Sequence, residues 1–417
     1  MRINKDNYYL DIAEKVSERA TCLRRRWGKE VFDHLSWYKA EVVKNAKVMV
    51  VGAGALGNEV LKNLALFGVG NIFIVDFDTI EYSNLTRSVL YRESDADKGL
   101  YKAEVAAQRV KEINPNINVQ FVIGHLDSDV GLGIFREMDV VIGCLDSRLA
   151  RLRLNRHCMR ANVPWVDGGI ENLTGNVKVY CQGENCYECG LLPSARLHLS
   201  QQMSCAGIAH RNEKVGRVPT TPVIASVIGA IQVQEAMKLL HKEELEKGIF
   251  SVLKGQMLHY EGMHNQVEVY DLAAFDDDCP SHELWDRIVK IEGLGADTRI
   301  DVALQMIHDK LNASEIQINL RNDKFVDYIV SRTDNRKFET MLPESKVGDF
   351  IDSNYELYTT SRAELFQNEY ENIDSSFPYQ ELTLRQIGIP CFDIVQVSTE
   401  NGCVYVELSA DRGKYGF

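Results

Sequence analysis

A chain of 417 residues, 45% hydrophobic and 26% charged, is long enough for two domains and a further small one, so core size sets no obstacle. Its formal net charge of -13 argues against nucleic acid or an anionic membrane as the main partner and suits a neutral or basic protein. The opening residues carry no basic, apolar leader and no uninterrupted apolar run crosses a bilayer, which makes the cytoplasm the default. Ten irregularly spaced cysteines then point to metal or catalytic chemistry before disulfides.

Residues 1–46 read as amphipathic helices, with a basic cluster at CLRRRWGKE and a helix through EVFDHLSWYKAEVV, residues 30–43. From Lys47 the texture changes. KVMVVGAGALGNEVLKNLALFGVGNIFIVDFD reads as a buried strand, a glycine turn, a helix that stops near Gly68 and a second strand ending at Asp76. The alternation continues through helix KAEVAAQRVKEIN, strand NVQFVIG, a helix before MDVVIGCLD, helix RLARLRLNRHCMRAN and strand VPWVDGG. Such alternation predicts a Rossmann-like α/β domain, with a mainly parallel sheet covered by helices on both faces.

Residues 175–220 interrupt that rhythm with GENCYECG and polar loops. TTPVIASVIGAIQVQEAMKLLH then supplies a threonine cap, Pro222 in the first turn and a long apolar helix of core or interface type. Strands are predicted at GIFSVLKG, QMLHYEG and QVEVYDL, and AAFDDDCPSHELW closes the domain at residue 285. Beyond it, IVKIEGLGADTRIDVALQMIHDKL and EIQINL form a βαβ-like pattern. The polar stretch DSNYELYTTSRAELFQNEYENIDSSFP reads as a long insertion, and LTLRQIGIPCFDIVQVSTENGCVYVELS as a closing helix-and-strands unit. The expected organisation is a helical segment (1–46), a nucleotide-binding domain (47–285) and a small C-terminal α+β domain (286–417).

Gly52, Gly54 and Gly57 fall as G-x-G-x-x-G between the first strand and its helix, and Asp76 ends the next strand. Glycines let backbone approach phosphates, a helix N-terminus favours anions, and an acid about 20 positions on can accept ribose hydroxyls. The pattern says nucleotide without saying which. Asp78, Asn84, Arg87, Lys102 and Asp146 narrow the choice. Two cations and a carboxylate at strand ends suit a triphosphate with Mg²⁺ better than a hydride carrier: Arg87 and Lys102 can clamp phosphate oxygens and Asp146 can hold the metal. Taken singly, each charged residue also reads as half of a surface ion pair.

Together VVGAGALGNEVLKNLALFGVGNIFIVDFDTIEYSNLTR, KAEVAA, LDSRLARLRLN and VDGGIENLTGNVKVY resemble the adenylation domain of ubiquitin-activating enzymes and of their bacterial relatives that activate sulfur-carrier proteins. The resemblance runs from about residue 47 to 285. It implies that Asp76 holds the ATP ribose, that Asn84, Arg87 and Lys102 contact the phosphates, and that Asp146 binds Mg²⁺. Arg151 matches a further arginine of the family. In the family, the carboxylate of a C-terminal glycine attacks the α-phosphate of ATP, and an N-terminal arginine of the other subunit often completes the site. Arg24, Arg25 and Arg26 lie in that part of this chain.

Cys186 and Cys189 stand at C-x-x-C spacing, and Cys279 and His282 repeat the interval downstream. Two such pairs match a closed, structural, tetrahedral Zn²⁺ site. A lone C-x-x-C would also suit a redox pair, but nothing thioredoxin-like surrounds it. The family carries two corresponding pairs, usually all cysteine, so His282 is a departure. Its catalytic cysteine lies shortly after the first pair, which by resemblance singles out Cys205 in the segment 186–220. His210, Arg211, Lys214 and Arg217 could supply the positive charge that favours a thiolate. Cys144, Cys158, Cys391 and Cys403 read as packing residues, and Cys22 and Cys181 have less support from context.

The resemblance therefore implies an ATP- and Mg²⁺-dependent activating enzyme. It would adenylate the C-terminal glycine of a ubiquitin-like protein, hold it as a thioester on Cys205 and pass it to a conjugating enzyme. A single nucleotide motif implies a homodimer or a heterodimer, and the C-terminal domain stands where family members carry a ubiquitin-fold domain that recruits the conjugating enzyme. The nearest alternative is a sulfur-carrier adenylyltransferase without an obligatory thioester. An NAD-dependent oxidoreductase is disfavoured by Arg87, Lys102 and Asp146, and a non-catalytic scaffold subunit by retention of the nucleotide and thiol residues.

Overall fold

The computed structural model describes residue 32 and residues 34–204, 219–285, 287–320, 323–354, 357, 360 and 364–415. Cys22, Arg24, Arg25, Arg26, Cys205, His210, Arg211, Lys214 and Arg217 lie outside the described residues. Two compact units result: the first takes residues up to Leu126, Phe135–Leu191 and Gly216–Glu283, and the second Asp127–Ile134, Leu192–Val215 and Leu284–Phe417.

In the first unit the helix predicted through residues 30–43 does not run unbroken. Residues 34–39 make turns, and helix begins again only at α1 (Ala40–Asn45). The cause is a distant aromatic dock: Trp37 meets His241 edge-on at 5.4 Å, and the Lys39 amide donates to His241 Nε2 at 3.0 Å.

From there the chain runs through β1 (Lys47–Val51), α2 (Ala55–Phe67), β2 (Asn71–Val75), α3 (Lys102–Ile113), β3 (Asn118–Val122), β4 (Val140–Gly143), α4 (Arg148–Ala161), β5 (Trp165–Glu171), β6 (Thr174–Tyr180), α5 (Pro222–Leu240), β7 (Gln256–Glu261) and β8 (Gln266–Asp271). The alternation is the expected one up to β5, whereas β6 and a helix at Pro193–Ser204 fall in the stretch 175–220 expected to be polar loops. The sheet order is β3-β2-β1-β4-β5-β6-β7-β8. β1 to β5 pair in parallel and β5 to β8 antiparallel, so the sheet is Rossmann-like at one end and a meander at the other. The four C-terminal residues of β1, β2 and β3 are buried, as strands covered on both faces require.

α5 starts as predicted, with Thr221 Oγ1 accepting the Ile224 amide at 3.3 Å and Pro222 in the first turn. Among the described helices it alone is long and apolar enough to span a bilayer, yet most of it is core. Ile224, Ile228, Val233 and Met237 are buried with α2 and the sheet. GIFSVLKG is not a strand: beyond a bridge between Val179 and Lys254 it is loop. Side chains of α5 take its backbone instead, with Glu235 accepting the Leu253 amide (3.0 Å) and Lys238 donating to the Ser251 carbonyl (2.7 Å).

The second unit contains β9 (Ile288–Lys290), α6 (Ile300–Leu311), β10 (Ile316–Asn319), β11 (Phe325–Ser331), β12 (Lys337–Pro343), α7 (Glu344–Ser353), β13 (Leu365–Tyr370), β14 (Asn372–Ile373), β15 (Ile394–Thr399) and β16 (Gly402–Glu407). One sheet runs β14-β10-β15-β16-β9, with its parallel pair, β16 and β9, at an edge. The other runs β12-β11-β13 over a core of Val326, Ile329, Val347, Ile351, Leu357 and Leu365. The polar insertion expected over residues 352–378 thus contains a strand, β13, paired along β11. Its polar residues have partners: Asn368 donates to Asp327 at 3.0 Å and Gln367 to Glu344 at 3.1 Å. Cys391 is buried as a packing residue should be, whereas Cys403 is exposed on β16.

Candidate nucleotide site and metal cluster

Register brings the nucleotide motif to one edge of the sheet. Val51 pairs with Val75 and with Gly143, and Val75 with Val122, so Gly52, Asp76 and Cys144 leave their strands at one level. The Gly52 amide donates to the Val75 carbonyl, and the Cys144 amide to Val51, both at 2.8 Å. Gly52 has φ +95°, and a Cβ there would lie 2.4 Å from the Cys144 carbonyl oxygen; a Cβ on Gly57 would lie 2.0 Å from the Gly52 oxygen. Gly54 differs, because a Cβ there meets nothing within 4 Å. α2 begins immediately after it with no side-chain cap, and a helix N-terminus without such a cap suits an anion.

Three side chains fix the turn from behind. Asp76 accepts the Ala53 amide on Oδ2 (2.6 Å) and the Asp78 amide on Oδ1 (2.8 Å). Burial raises its pKa, and the Lys102 charge opposes the rise. Asn58, fully buried on α2, donates to the Ala53 and Gly54 carbonyls (2.7 and 2.9 Å) and accepts the Leu90 amide (2.8 Å). The Tyr91 hydroxyl lies 2.5 Å from the Ala53 oxygen, and burial keeps it a neutral donor by pushing its pKa up.

Lys102, the first residue of α3, is buried and holds its Nζ 2.6 Å from Asp78 Oδ2. Ala53, Gly54, Asp76, Asp78 and Lys102 therefore join, with Asn58, through one set of hydrogen bonds around the turn, with Gly52 at its start and Gly57 packed beneath it. Asn84 and Arg87 lie on the following turn, where Asn84 accepts the Glu81 amide (2.9 Å) and Arg87 donates to the Ser83 carbonyl (2.7 Å). That segment is tied to the glycine turn through Leu90 and Asn58. Asp146 is exposed, three residues past Gly143 at the end of β4. Cys144 itself is half-buried, its thiol pKa driven up by burial and by Asp167, as befits packing rather than nucleophilic work. Arg151 does not stand free: its Nε donates to Asp167 (2.9 Å) and its Nη2 to the carbonyls of Leu145 (2.6 Å) and Gly168 (3.1 Å).

The two short cysteine motifs meet. Cys186, Cys189, Cys279 and His282 place their donor atoms within 4.8 Å of one another. Cys186 Sγ is 3.6 Å from Cys189 Sγ and 3.7 Å from Cys279 Sγ, and Cys189 Sγ is 3.6 Å from His282 Nε2. Tetrahedral zinc with Zn–S about 2.3 Å and Zn–N about 2.0–2.1 Å has edges of roughly 3.8 Å between sulfurs and roughly 3.6 Å between sulfur and nitrogen. These three separations fit such edges. His282 Nδ1 lies 3.0 Å from the Asp276 carbonyl, which fixes the ring with Nε2 toward the thiols. The hydrogen bond between Cys186 and Cys279 lowers the Cys186 thiol pKa and raises that of Cys279, so the pair favours one thiolate.

Helix α4 anchors both motifs. Arg156 forks onto buried Glu188 at 2.7 and 3.1 Å, and Ser281 donates to the same carboxylate at 2.6 Å. Asn155 donates to Ser281 (2.8 Å) and accepts the Tyr187 amide (3.1 Å).

The profile of the ThiF family matches residues 29–281, which span the glycine turn, α4 and three of the four cluster residues. This chain belongs to the ThiF family. It is 34% identical over 227 residues to the molybdopterin-synthase adenylyltransferase of Escherichia coli K12, covering 54% of this chain and 82% of that protein. With the SAMP-activating enzyme E1 of Haloferax volcanii it shares 34% over 242 residues, 57% of this chain and 80% of the other. The SUMO-activating enzyme subunit 2 of Dictyostelium discoideum is 36% identical over 176 residues, 42% of this chain but 25% of that much longer protein.

In this ThiF-family chain the residues that hold the motif in shape lie outside the motif itself. Asn58, Tyr91, Asp167 and Glu188 are buried polar groups. Gln232 is another, donating from α5 to the Gly143 and Val166 carbonyls at 2.9 and 3.3 Å. The available signal was a polar residue set within a largely apolar helical stretch, as in LGNEVL and GAIQVQ.

Proposed function

We propose that this ThiF-family chain adenylates the C-terminal carboxylate of a small ubiquitin-like or sulfur-carrier protein with ATP. The observation that carries the reading is the open glycine turn at the uncapped start of α2, with Asp76, Lys102 and Asp146 at the same edge of the sheet. The terminal glycine carboxylate is already ionised at neutral pH and needs no general base. Its oxygen attacks the α-phosphorus, the bond from that phosphorus to the bridging oxygen breaks, and pyrophosphate leaves with the electron pair. The α2 amides receive phosphate oxygens, Lys102 and Arg87 neutralise their charge, and Asp76, held by two amides, accepts ribose hydroxyls. Asp146 is an exposed, hard oxygen donor that fits Mg²⁺, which when bound would draw charge from the leaving pyrophosphate. We assign structural Zn²⁺ to Cys186, Cys189, Cys279 and His282, on the match of their separations to tetrahedral edges.

In the fuller reading the Cys205 thiolate attacks the acyl-adenylate carbonyl, AMP leaves, and the thioester passes to a conjugating-enzyme cysteine, in a homodimer or with a second subunit. The similarity to SUMO- and SAMP-activating proteins supports it. A sulfur-carrier adenylyltransferase that stops at the acyl-adenylate is supported equally, by the alignment over 82% of the molybdopterin-synthase adenylyltransferase.

The test is exchange of labelled pyrophosphate into ATP with candidate carrier proteins ending in glycine, followed by gels run with and without reductant. No carrier-dependent exchange would sink the adenylation reading. A reductant-sensitive conjugate lost in Cys205→Ser but kept in Cys144→Ser selects the thioester, and exchange without a conjugate selects the sulfur-carrier reading.

A further inference from the structure

Asp146 lies in the four-residue stretch Cys144–Ser147 between β4 and α4, and the other three residues of that stretch are each held by a hydrogen bond. The Cys144 amide donates to the Val51 carbonyl at 2.8 Å. Ser147 caps α4 by accepting the Ala150 amide at 3.0 Å. Between them the Leu145 carbonyl accepts Arg151 Nη2 at 2.6 Å, the shortest of the guanidinium's hydrogen bonds. The same fork reaches β5 through Asp167 and the Gly168 carbonyl, and Asp167 is the direct neighbour of Gly143 in the sheet. The pair is well shielded, with side chains 15% and 2% exposed. Arg151 thus ties the loop leaving β4 to the end of β5, and its Nε and both Nη2 hydrogens are committed to protein acceptors.

We propose that Arg151 is a positioning residue rather than a phosphate ligand: with Asp167 as its buried counter-ion, it fixes the backbone that presents Asp146 to the divalent cation of the nucleotide complex. This rests on the adenylation reading above. A planar fork is required because one guanidinium must meet a carboxylate and two carbonyls in different directions. A lysine ammonium in that place retains the charge and loses the span.

The experiment measures binding of a non-hydrolysable ATP analogue to the full chain by calorimetry, in EDTA and across a Mg²⁺ series. The electron paramagnetic resonance signal of free Mn²⁺ serves as a second readout of cation occupancy. Arg151→Gln is expected to raise the Mg²⁺ concentration for half-saturation, and to weaken Mn²⁺ uptake, by about tenfold or more, as loss of an outer partner of a metal ligand does. Analogue binding in EDTA stays at the wild-type value. Arg151→Lys and Asp167→Asn shift the Mg²⁺ midpoint in the same direction by less, and they take over the test if the glutamine variant does not fold.

An unshifted Mg²⁺ midpoint in a folded variant overturns the proposal. So does an equal loss of analogue affinity in EDTA, which would make Arg151 a phosphate contact. A purely structural role would lower the melting temperature and leave the Mg²⁺ midpoint alone, which also overturns it. Wild-type protein that binds no analogue at any Mg²⁺ concentration would instead overturn the adenylation reading.

Discussion

Gly54 and Gly57 stand three residues apart in one motif and are expected to fail in opposite ways when changed to alanine. At Gly57 the new methyl would sit 2.0 Å from the Gly52 carbonyl oxygen, more than 1 Å inside ordinary contact, and that oxygen belongs to backbone pinned by the sheet. Relief requires α2 to move away from β1, an overpacking strain of about 1–3 kcal/mol or more. At Gly54 the methyl meets nothing within 4 Å, and φ is an unstrained -73°. The cost there is exchange of an N-cap glycine for a poor cap, about 1 kcal/mol or less. With ATP present the order reverses. The Gly54 methyl occupies the approach to the α2 amides, and one lost hydrogen bond to a charged group, about 1.5–3 kcal/mol, lowers affinity roughly 10- to 150-fold. Urea unfolding followed by fluorescence of the buried Trp165, beside calorimetry with an ATP analogue, separates the two effects. A Gly57→Ala protein as stable as wild type would refute the packing argument. A Gly54→Ala protein with undiminished analogue affinity would refute the placement of the phosphates.

Asn58→Ala removes three hydrogen bonds from a fully buried site and is expected to cost about 2–4 kcal/mol in urea unfolding. Asn58→Asp should cost more at neutral pH, because a carboxylate would face the Ala53 and Gly54 carbonyls; a milder Asp variant would contradict the donor assignment. Purified protein is expected to hold one zinc per chain, diminished in Cys279→Ser and His282→Ala. Glu188→Gln, which weakens the anchor of both motifs, should release zinc to a chromogenic chelator about 10–100-fold faster. Unchanged release would separate the α4 network from the metal. In the second unit Glu400 accepts the amides of Ser314 and Glu315 at 2.9 and 3.1 Å, which holds its carboxyl at about 2 against an ordinary 4.5. A depressed acid adds stability above its unfolded pKa and loses it as pH falls through the folded one, so this contribution should fade between pH 4.5 and about 2. A carbon-detected NMR titration of Glu400 near 4.5 would remove that expectation.

The legible parts of this protein are those whose physics is local. A buried strand, a glycine turn and a capped helix each announce themselves within a dozen residues, and the C-x-x-C and C-x-x-H intervals carry metal-ligand geometry in the spacing itself. Where a partner lies far along the chain, the pattern fails. Residues 34–39 look helical because nothing nearby reveals that Trp37 and Lys39 meet His241. β13 looks like insertion because Gln367 and Asn368 match polar groups on Glu344 and Asp327, so the strand lacks an apolar alternation. GIFSVLKG has strand composition, but Glu235 and Lys238 already occupy its backbone. Asn58 and Asp167 read as ordinary polar positions, since burial and hydrogen bonding are properties of the fold that surrounds them.

Asn58, Asp76 and Tyr91 also bear on portability. The glycine hexapeptide looks like a module that could be cut out and grafted onto another strand and helix. Its carbonyls and amide are nevertheless held by side chains 5, 23 and 38 positions from Ala53. A transplanted GAGALG would keep its glycines and lose its curvature, and a fragment of this chain ending before Leu90 would contain the motif without its shape. The transferable unit is the arrangement spanning Gly52 to Lys102.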